Sequence, residues 1–306
     1  MDAVPPSGRQ VELRAGEHSA TVVEVGGGIR RYDVGDRPVV DGFGVEEMAS
    51  GGRGQVLVPW PNRLRGGRYR WDGQDLQMPI NEVEKNNASH GLVRWSNWTD
   101  HDVSDPGVTM LLRLHASSGY PFVLDLALRY ELSPDGLTVT TTATNVGATP
   151  APFGAGFHPY VTAGSARVDE SELVVPADTY LVADDDLIPT DAVSVEGTPY
   201  DFRAQRAIGE TVVDSCFTGL TRANGRTTVT LTGPDGAVDV WMDESFSHVM
   251  VFTGDTLPED RRRRSVAIEP MTCAPNAFET GEGVIRLEPG DTFTGTWGIT
   301  PRAEPR

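Results

Sequence analysis

Three stretches place titratable side chains in apolar surroundings. In PFGAGFHPYV, residues 152–161, His158 sits in a glycine-rich apolar run with Pro159 behind it. Such a histidine is either a packed core residue or a proton donor held at the mouth of a site. In SVAIEPMTCAPNAF, residues 265–278, Glu269 follows the apolar run Val266, Ala267, Ile268, and Pro270 is expected to stop the strand. A carboxylate there is paired or functional, because burying its charge alone is expensive. Desolvation would raise its pKa, which suits a general base. VVDSCF, residues 212–217, repeats the pattern, with Asp214 between an expected apolar strand and a turn-like break. Together these types make an acid/base pair with hydrogen-bond acceptors suited to a polyol.

Two other segments are unusual for a plain sandwich. VPWPNRLRGGRYRWDG, residues 58–73, carries Arg63, which either binds ligand oxygens bidentately or lies on the surface beside a turn. NNASHGLVRWSNW, residues 86–98, sets His90 among amides and before a glycine. Its Trp95 and Trp98 either offer faces to a sugar ring or fill the core. The six histidines form neither HxH nor HExxH, and no CxxC occurs, so no metal site is expected. The lack of GxSxG and Walker loops leaves serine-hydrolase and P-loop readings without support.

The positioning elements are mostly strands. DLALRYEL, residues 125–132, alternates apolar and polar positions, SPDG follows, and LTVTTTATNV is rich in β-branched residues. Pro-Asp-Gly between alternating runs predicts a hairpin, since proline fixes φ and glycine accepts positive φ. GPDG at 233–236 repeats the device between TTVTLT and AVDVWM, and Asp72-Gly73 predicts a tighter turn. Further strands are expected in VTMLLRLHA, SELVVPA, SHVMVFTG and DTFTGTWGIT. This frequency of strands, punctuated by 34 glycines and 22 prolines, predicts an all-β fold, a large antiparallel sandwich or barrel. Hairpins cross the midpoint of the 306 residues, so a single domain over 1–306 is expected, with a tail near 300–306.

Bulk properties narrow the partners. The formal charge of −18 disfavours nucleic acid and anionic membranes. The basic run Arg261–Arg264 reads as a solvated loop neutralised by Glu259 and Asp260. The N-terminus lacks a signal-peptide pattern, no apolar run reaches membrane-spanning length, and only Cys216 and Cys273 occur. A reduced, cytoplasmic setting is expected. The expected partner is a neutral small molecule, bound by a monomer or homodimer.

In their order and spacing, PWPNRL, GGRYRWDG, NNASHGLV, GAGFHPYV, DSCF and AIEPMTCAPNAF resemble the aldose 1-epimerase (galactose mutarotase) family. The terminal PGDTFTGTWGI is similar to that family's last strand, while the first 40 residues match loosely. The resemblance implies a large antiparallel β-supersandwich with a monosaccharide bound in a cleft on one sheet. It implies His158 as the general acid, Glu269 as the general base, and His90, Arg63 and Asp214 as sugar-binding residues. Asn62 and Tyr160, beside these positions, join the expected substrate-binding set. Val161 stands where the family commonly carries a bulky aromatic. His158 is expected to start protonated, favoured by Glu269 or Asp214. The reaction implied is anomer interconversion of a free hexose without metal or cofactor. Two alternatives stay open: a hexose-6-phosphate epimerase using Arg63, Arg65, Arg68 and Arg94, and a sugar-binding protein without turnover.

Overall fold

The hairpins form where the turn chemistry puts them. Leu124–Ser133 pairs with Gly136–Asn145, Thr227–Gly233 with Gly236–Met242, and Arg68–Trp71 with Gln74–Gln77. In the first, Leu124, Leu126, Leu128, Tyr130 and Leu132 are buried and alternate with more exposed residues. The period of two read from the sequence is therefore the period of the burial.

The computed structural model describes residues 3–303. Among these, strands assemble into an antiparallel twelve-stranded sheet, an antiparallel nine-stranded sheet and three two-stranded ribbons. The larger sheet holds the candidate site. Its central order runs Arg37–Val40, Tyr160–Val161, Val266–Met271, His248–Phe252, Asp214–Leu220, Ala177–Ala183. The smaller sheet runs from Thr99–Ser104 through the two long hairpins, with Thr292–Arg302 between Gly136–Asn145 and Gly236–Met242. Side chains of both sheets, from Leu13 to Ile299, share one buried hydrophobic cluster. The family-like supersandwich expected from the motifs is the fold observed. No helix among the described residues is long and apolar enough to cross a membrane.

Four local expectations are corrected. The strand with Glu269 does not stop at Pro270 but runs Val266–Met271. Ile268 N–H donates to Pro159 O and Thr272 N–H to Ala155 O, so position 270 faces the intervening chain at Phe157–His158. The register is unshifted there, from Gly156 opposite Met271 to Tyr160 opposite Ala267, and His158 bonds through its own N–H and C=O to Gln55 and Gly54 on its other side. Pro270 thus forgoes one ladder bond, at the gap between the short strands Gly156–Phe157 and Tyr160–Val161. Asp214 opens the strand Asp214–Leu220 rather than closing an earlier one. The expected tail is paired as far as Arg302, which lies opposite Ala237; residues 304–306 lie outside the described residues. The basic run is only partly a solvated loop: Arg262 and Arg264 are exposed, but Arg263 is 5% exposed and ion-paired to Asp169 and Asp255, and Arg261 reaches Asp41 and Glu47.

One buried contact joins the layers directly. Tyr130, on the smaller sheet, donates its hydroxyl to Gly27 O at 2.6 Å. Tyr130→Phe leaves that carbonyl without its partner, and is expected to lower unfolding free energy by about 1–3 kcal/mol. Denaturant unfolding should show a lower midpoint with an unchanged m-value.

Candidate active site

His158 stands opposite the strand Val266–Met271, in the unshifted register set by Gly156 with Met271 and Tyr160 with Ala267, so its side chain leaves the sheet on the same face as that of Glu269. Glu269 lies in the middle of that strand, opposite Met250 on its other side. His158 Nε2 is 3.4 Å from Glu269 Oε1, and the two residues are 6% and 2% exposed. Both open onto a cleft of about 590 Å³, a size suited to a small ligand. Asn62, Arg63, His90, Tyr160 and Asp214 line the same cleft, so every expected site residue is brought together.

Several glycines near His158 fit tightly against protein. A Cβ at Gly154 would sit 2.7 Å from Cys273 Sγ, and one at Gly156 2.6 Å from Pro61 Cβ. These two glycines make room for neighbouring chain rather than for a ligand. Gly52 is the one that faces the imidazole. It has φ +77°, and a Cβ there would overlap His158 Cδ2 and lie 2.7 Å from Nε2.

The inner polar groups have few protein partners. Glu269 Oε2, His158 Nδ1 and His90 Nδ1 are buried and make no hydrogen bond among the described residues. Burial pushes the Glu269 carboxyl well above its usual range, with Asp214 adding to the effect and Arg63 opposing it. Burial also lowers the His158 imidazole to about 3, and Arg53, Arg63 and Arg94 act in the same direction. The expectation that His158 starts protonated is therefore reversed for the protein alone. Desolvation and three nearby cations disfavour the imidazolium, while desolvation and Asp214 disfavour the Glu269 carboxylate. His90 is likewise held neutral, by burial first and then by His158, Arg94 and Arg63. Asp214 is raised by burial, against the pull of Arg63.

The outer polar groups are held by protein partners on one side. Arg63 donates from Nε and Nη2 to both oxygens of Glu82, which orients its guanidinium at the cleft wall. Asn62 adopts φ 54° and accepts from Arg63 N–H, while its carbonyl takes the His90 N–H. Tyr160 donates its hydroxyl to Gly51 O at 2.8 Å and stacks on His158 at 5.0 Å. Its ring thus supports the imidazole, and its hydroxyl has a protein acceptor. Trp98 is core, and Trp95 is half-exposed outside the cleft lining.

Sequence reasoning missed part of the wall: Gly51, Gly52, Asn81, Glu82, Leu187, Met250, Phe252 and Leu257 also line the cleft. GGRG at 51–54 was the one visible signal. Leu187 gave none. It holds φ +61°, in a loop capped by Asp184, whose Oδ1 accepts from Asp186 and Ile188 N–H.

Comparisons with known proteins bear on the family and the fold. The family model described as Aldose 1-epimerase matches residues 9–300, so the first 40 residues belong to the match more fully than the motifs implied. The uncharacterized protein YihR of Escherichia coli (strain K12) is 36% identical over 285 residues, 93% of this chain and 90% of that protein. Galactose mutarotase of Homo sapiens is 31% identical over 174 residues, 55% of this chain and 50% of that protein. A galactose mutarotase-like protein from Clostridium acetobutylicum has the same fold, with TM-score 0.85, 18% identity, and 99% and 98% of the two chains covered.

Gly52→Ala tests the contact on His158. Strain at φ +77° and the overlap with the ring should displace the imidazole and lower kcat roughly 10- to 100-fold, a cost typical of small misplacements. A folded variant with wild-type turnover, by circular dichroism and steady-state kinetics, contradicts that role.

Proposed function

The chain belongs to the aldose 1-epimerase family, and from that premise we propose that it interconverts the α and β anomers of a free aldohexose. The observation that carries this reading is the buried His158–Glu269 pair, 3.4 Å apart and facing a ligand-sized cleft. A hemiacetal has two oxygens on one carbon, so an acid and a base that serve both must be near neighbours.

Sugar hydroxyls that donate to Glu269 Oε2 stabilise its carboxylate, and the shared proton passes to His158. Glu269 then takes the proton of the C1 hydroxyl as C1=O forms. The bond from C1 to the ring oxygen breaks, and His158 gives its proton to that oxygen. Rotation about C1–C2 presents the other face of the aldehyde. On reclosure Glu269 gives its proton back to the C1 oxygen and His158 takes one from the hydroxyl that attacks C1, so the pair ends as it began. Neutral His90, Asp214 and the Arg63 guanidinium are suited to holding the remaining hydroxyls. Two free, buried cysteines fit a reducing setting.

A second reading is a hexose bearing an anionic substituent, such as a 6-phosphate. Of the four arginines considered, Arg65 pairs with Asp184 and Asp186, and Arg68 bonds Gln77. Arg63 is held by Glu82. Arg94 favours this reading, because it lines the cleft with no carboxylate at ion-pair distance among the described residues. A non-catalytic sugar-binding protein is disfavoured, since both the acid and the base are present.

Polarimetry and NMR exchange across galactose, glucose and glucose 6-phosphate test the function. Faster anomer exchange of the neutral sugars is expected, whereas a marked preference for the phosphate selects the second reading. Absence of acceleration for all of them rejects both. His158→Asn and Glu269→Gln should each cost about 10²–10⁴-fold in kcat while remaining folded. Activity needs one proton on the pair, and burial with neighbouring cations resists the second. The acid limb of kcat/KM should therefore fall well below the ordinary imidazole pKa of about 6.5. An acid limb near that value contradicts the shared-proton pair.

A further inference from the structure

We propose that Arg53 is a positioning residue for His158, acting through the ring of Tyr160. The inference rests on the assignment of His158 as proton donor. Arg53 is 1% exposed and does not line the cleft, so it cannot touch a sugar held there. Its guanidinium carbon lies 4.3 Å from the Tyr160 ring centroid, and that ring stacks on His158 at 5.0 Å with 19° between the planes. Guanidinium, phenol and imidazole thus form one column, with Glu269 at its far end.

The base of the column is immobilised. Arg53 donates from Nε to Asp41 O at 2.8 Å, from Nη2 to Asp41 Oδ2 at 3.0 Å, and from Nη1 to Ser50 O at 3.4 Å. Asp41 is itself fixed by Arg261 Nη1 at 3.2 Å and by Ser265 Oγ at 2.7 Å. The Tyr160 hydroxyl, bonded to Gly51 O, stops the ring from rotating out of the column. On the other side, Gly54 N–H and Gln55 O hold the His158 backbone. The segment 50–55 therefore grips His158 by its backbone and, through Arg53 and Tyr160, by its ring.

A buried arginine is costly to desolvate, and an apolar side chain would fill the same space more cheaply. What the guanidinium adds is a planar cation against the aromatic face. It fixes the imidazole plane toward Glu269. Its charge also opposes imidazolium, which makes a protonated His158 a stronger donor to a weakly basic ring oxygen. The other titratable or charged groups facing His158 are Glu269, Tyr160, His90, Arg63 and Arg94.

The test uses Arg53→Met, Arg53→Lys and Tyr160→Leu in the full chain, with kcat and KM measured separately. Long-range ¹H–¹⁵N NMR titration of His158 gives a readout independent of turnover. Arg53→Met should lower kcat roughly 10- to 100-fold with KM little changed, as expected when orientation rather than binding is lost. The His158 titration midpoint should move to higher pH. Arg53→Lys keeps the charge without the planar face, so it should hold the midpoint low and recover only part of kcat. Combining Arg53→Met with Tyr160→Leu should cost no more than the costlier single change, because both break one column. Wild-type kcat and titration in folded Arg53→Met overturn the assignment. If Arg53→Met does not fold, Tyr160→Leu decides: it removes the ring and leaves Arg53 paired with Asp41, and an unchanged kcat overturns the assignment. A wild type inactive on every sugar rejects the mutarotase reading, while the titration still reports whether Arg53 acts on His158.

Discussion

The burial of Glu269 without a full set of hydrogen-bond partners is the constraint on which the site depends. Its strand is central in the twelve-stranded sheet, between Tyr160–Val161 and His248–Phe252, so the carboxyl cannot swing out to solvent. An isolated buried charge is costly by several kcal/mol, and proteins ordinarily answer it with a salt bridge or a neutral form. Here its one ion-pair partner among the described residues is an imidazole that is buried as well. The same desolvation that raises the acid lowers the imidazole, which leaves one proton poised between two atoms.

Around this inner pair the polar groups are arranged in the opposite manner. Arg63 is locked to both oxygens of Glu82, and Arg53 to Asp41, which also binds Arg261 and Ser265. These outer groups have little freedom left, so they supply fixed charges and surfaces rather than protons. Rigid, satisfied residues thus surround two that are left unsatisfied. That division is what preorganised acid–base chemistry requires, since the supporting shell does not reorganise during proton transfer.

Local features were legible in the sequence; features that depend on distant partners were not. The Pro-Asp-Gly hairpins could be read because turn conformation and alternation are properties of neighbouring residues. Glu269 stood out because a carboxylate in an apolar run is anomalous wherever the run folds. Pro270 misled because its tolerance depends on the break in pairing between Gly156–Phe157 and Tyr160–Val161, a feature of chain more than 100 residues away. Arg263 looked like one of a solvated run, yet its partners Asp169 and Asp255 arrive from elsewhere in the fold. Arg53 and Leu187 were invisible for the same reason, as neither carries a local pattern that marks its role.

The protonation of His158 shows how far chemistry can be inferred before geometry is known. A nearby carboxylate was expected to hold the imidazolium, and by charge alone that is sound. In the folded chain both groups are desolvated together, and cations at Arg53, Arg63 and Arg94 act on the imidazole as well. The protein alone therefore favours the neutral arrangement, and something with hydroxyl donors is needed to restore the charge separation. On the proposed function a polyol supplies it at Glu269 Oε2, for which the described residues offer no donor. On this view the substrate completes the electrostatics of the pair, and the acid is created at the moment when a hemiacetal is in place to receive its proton.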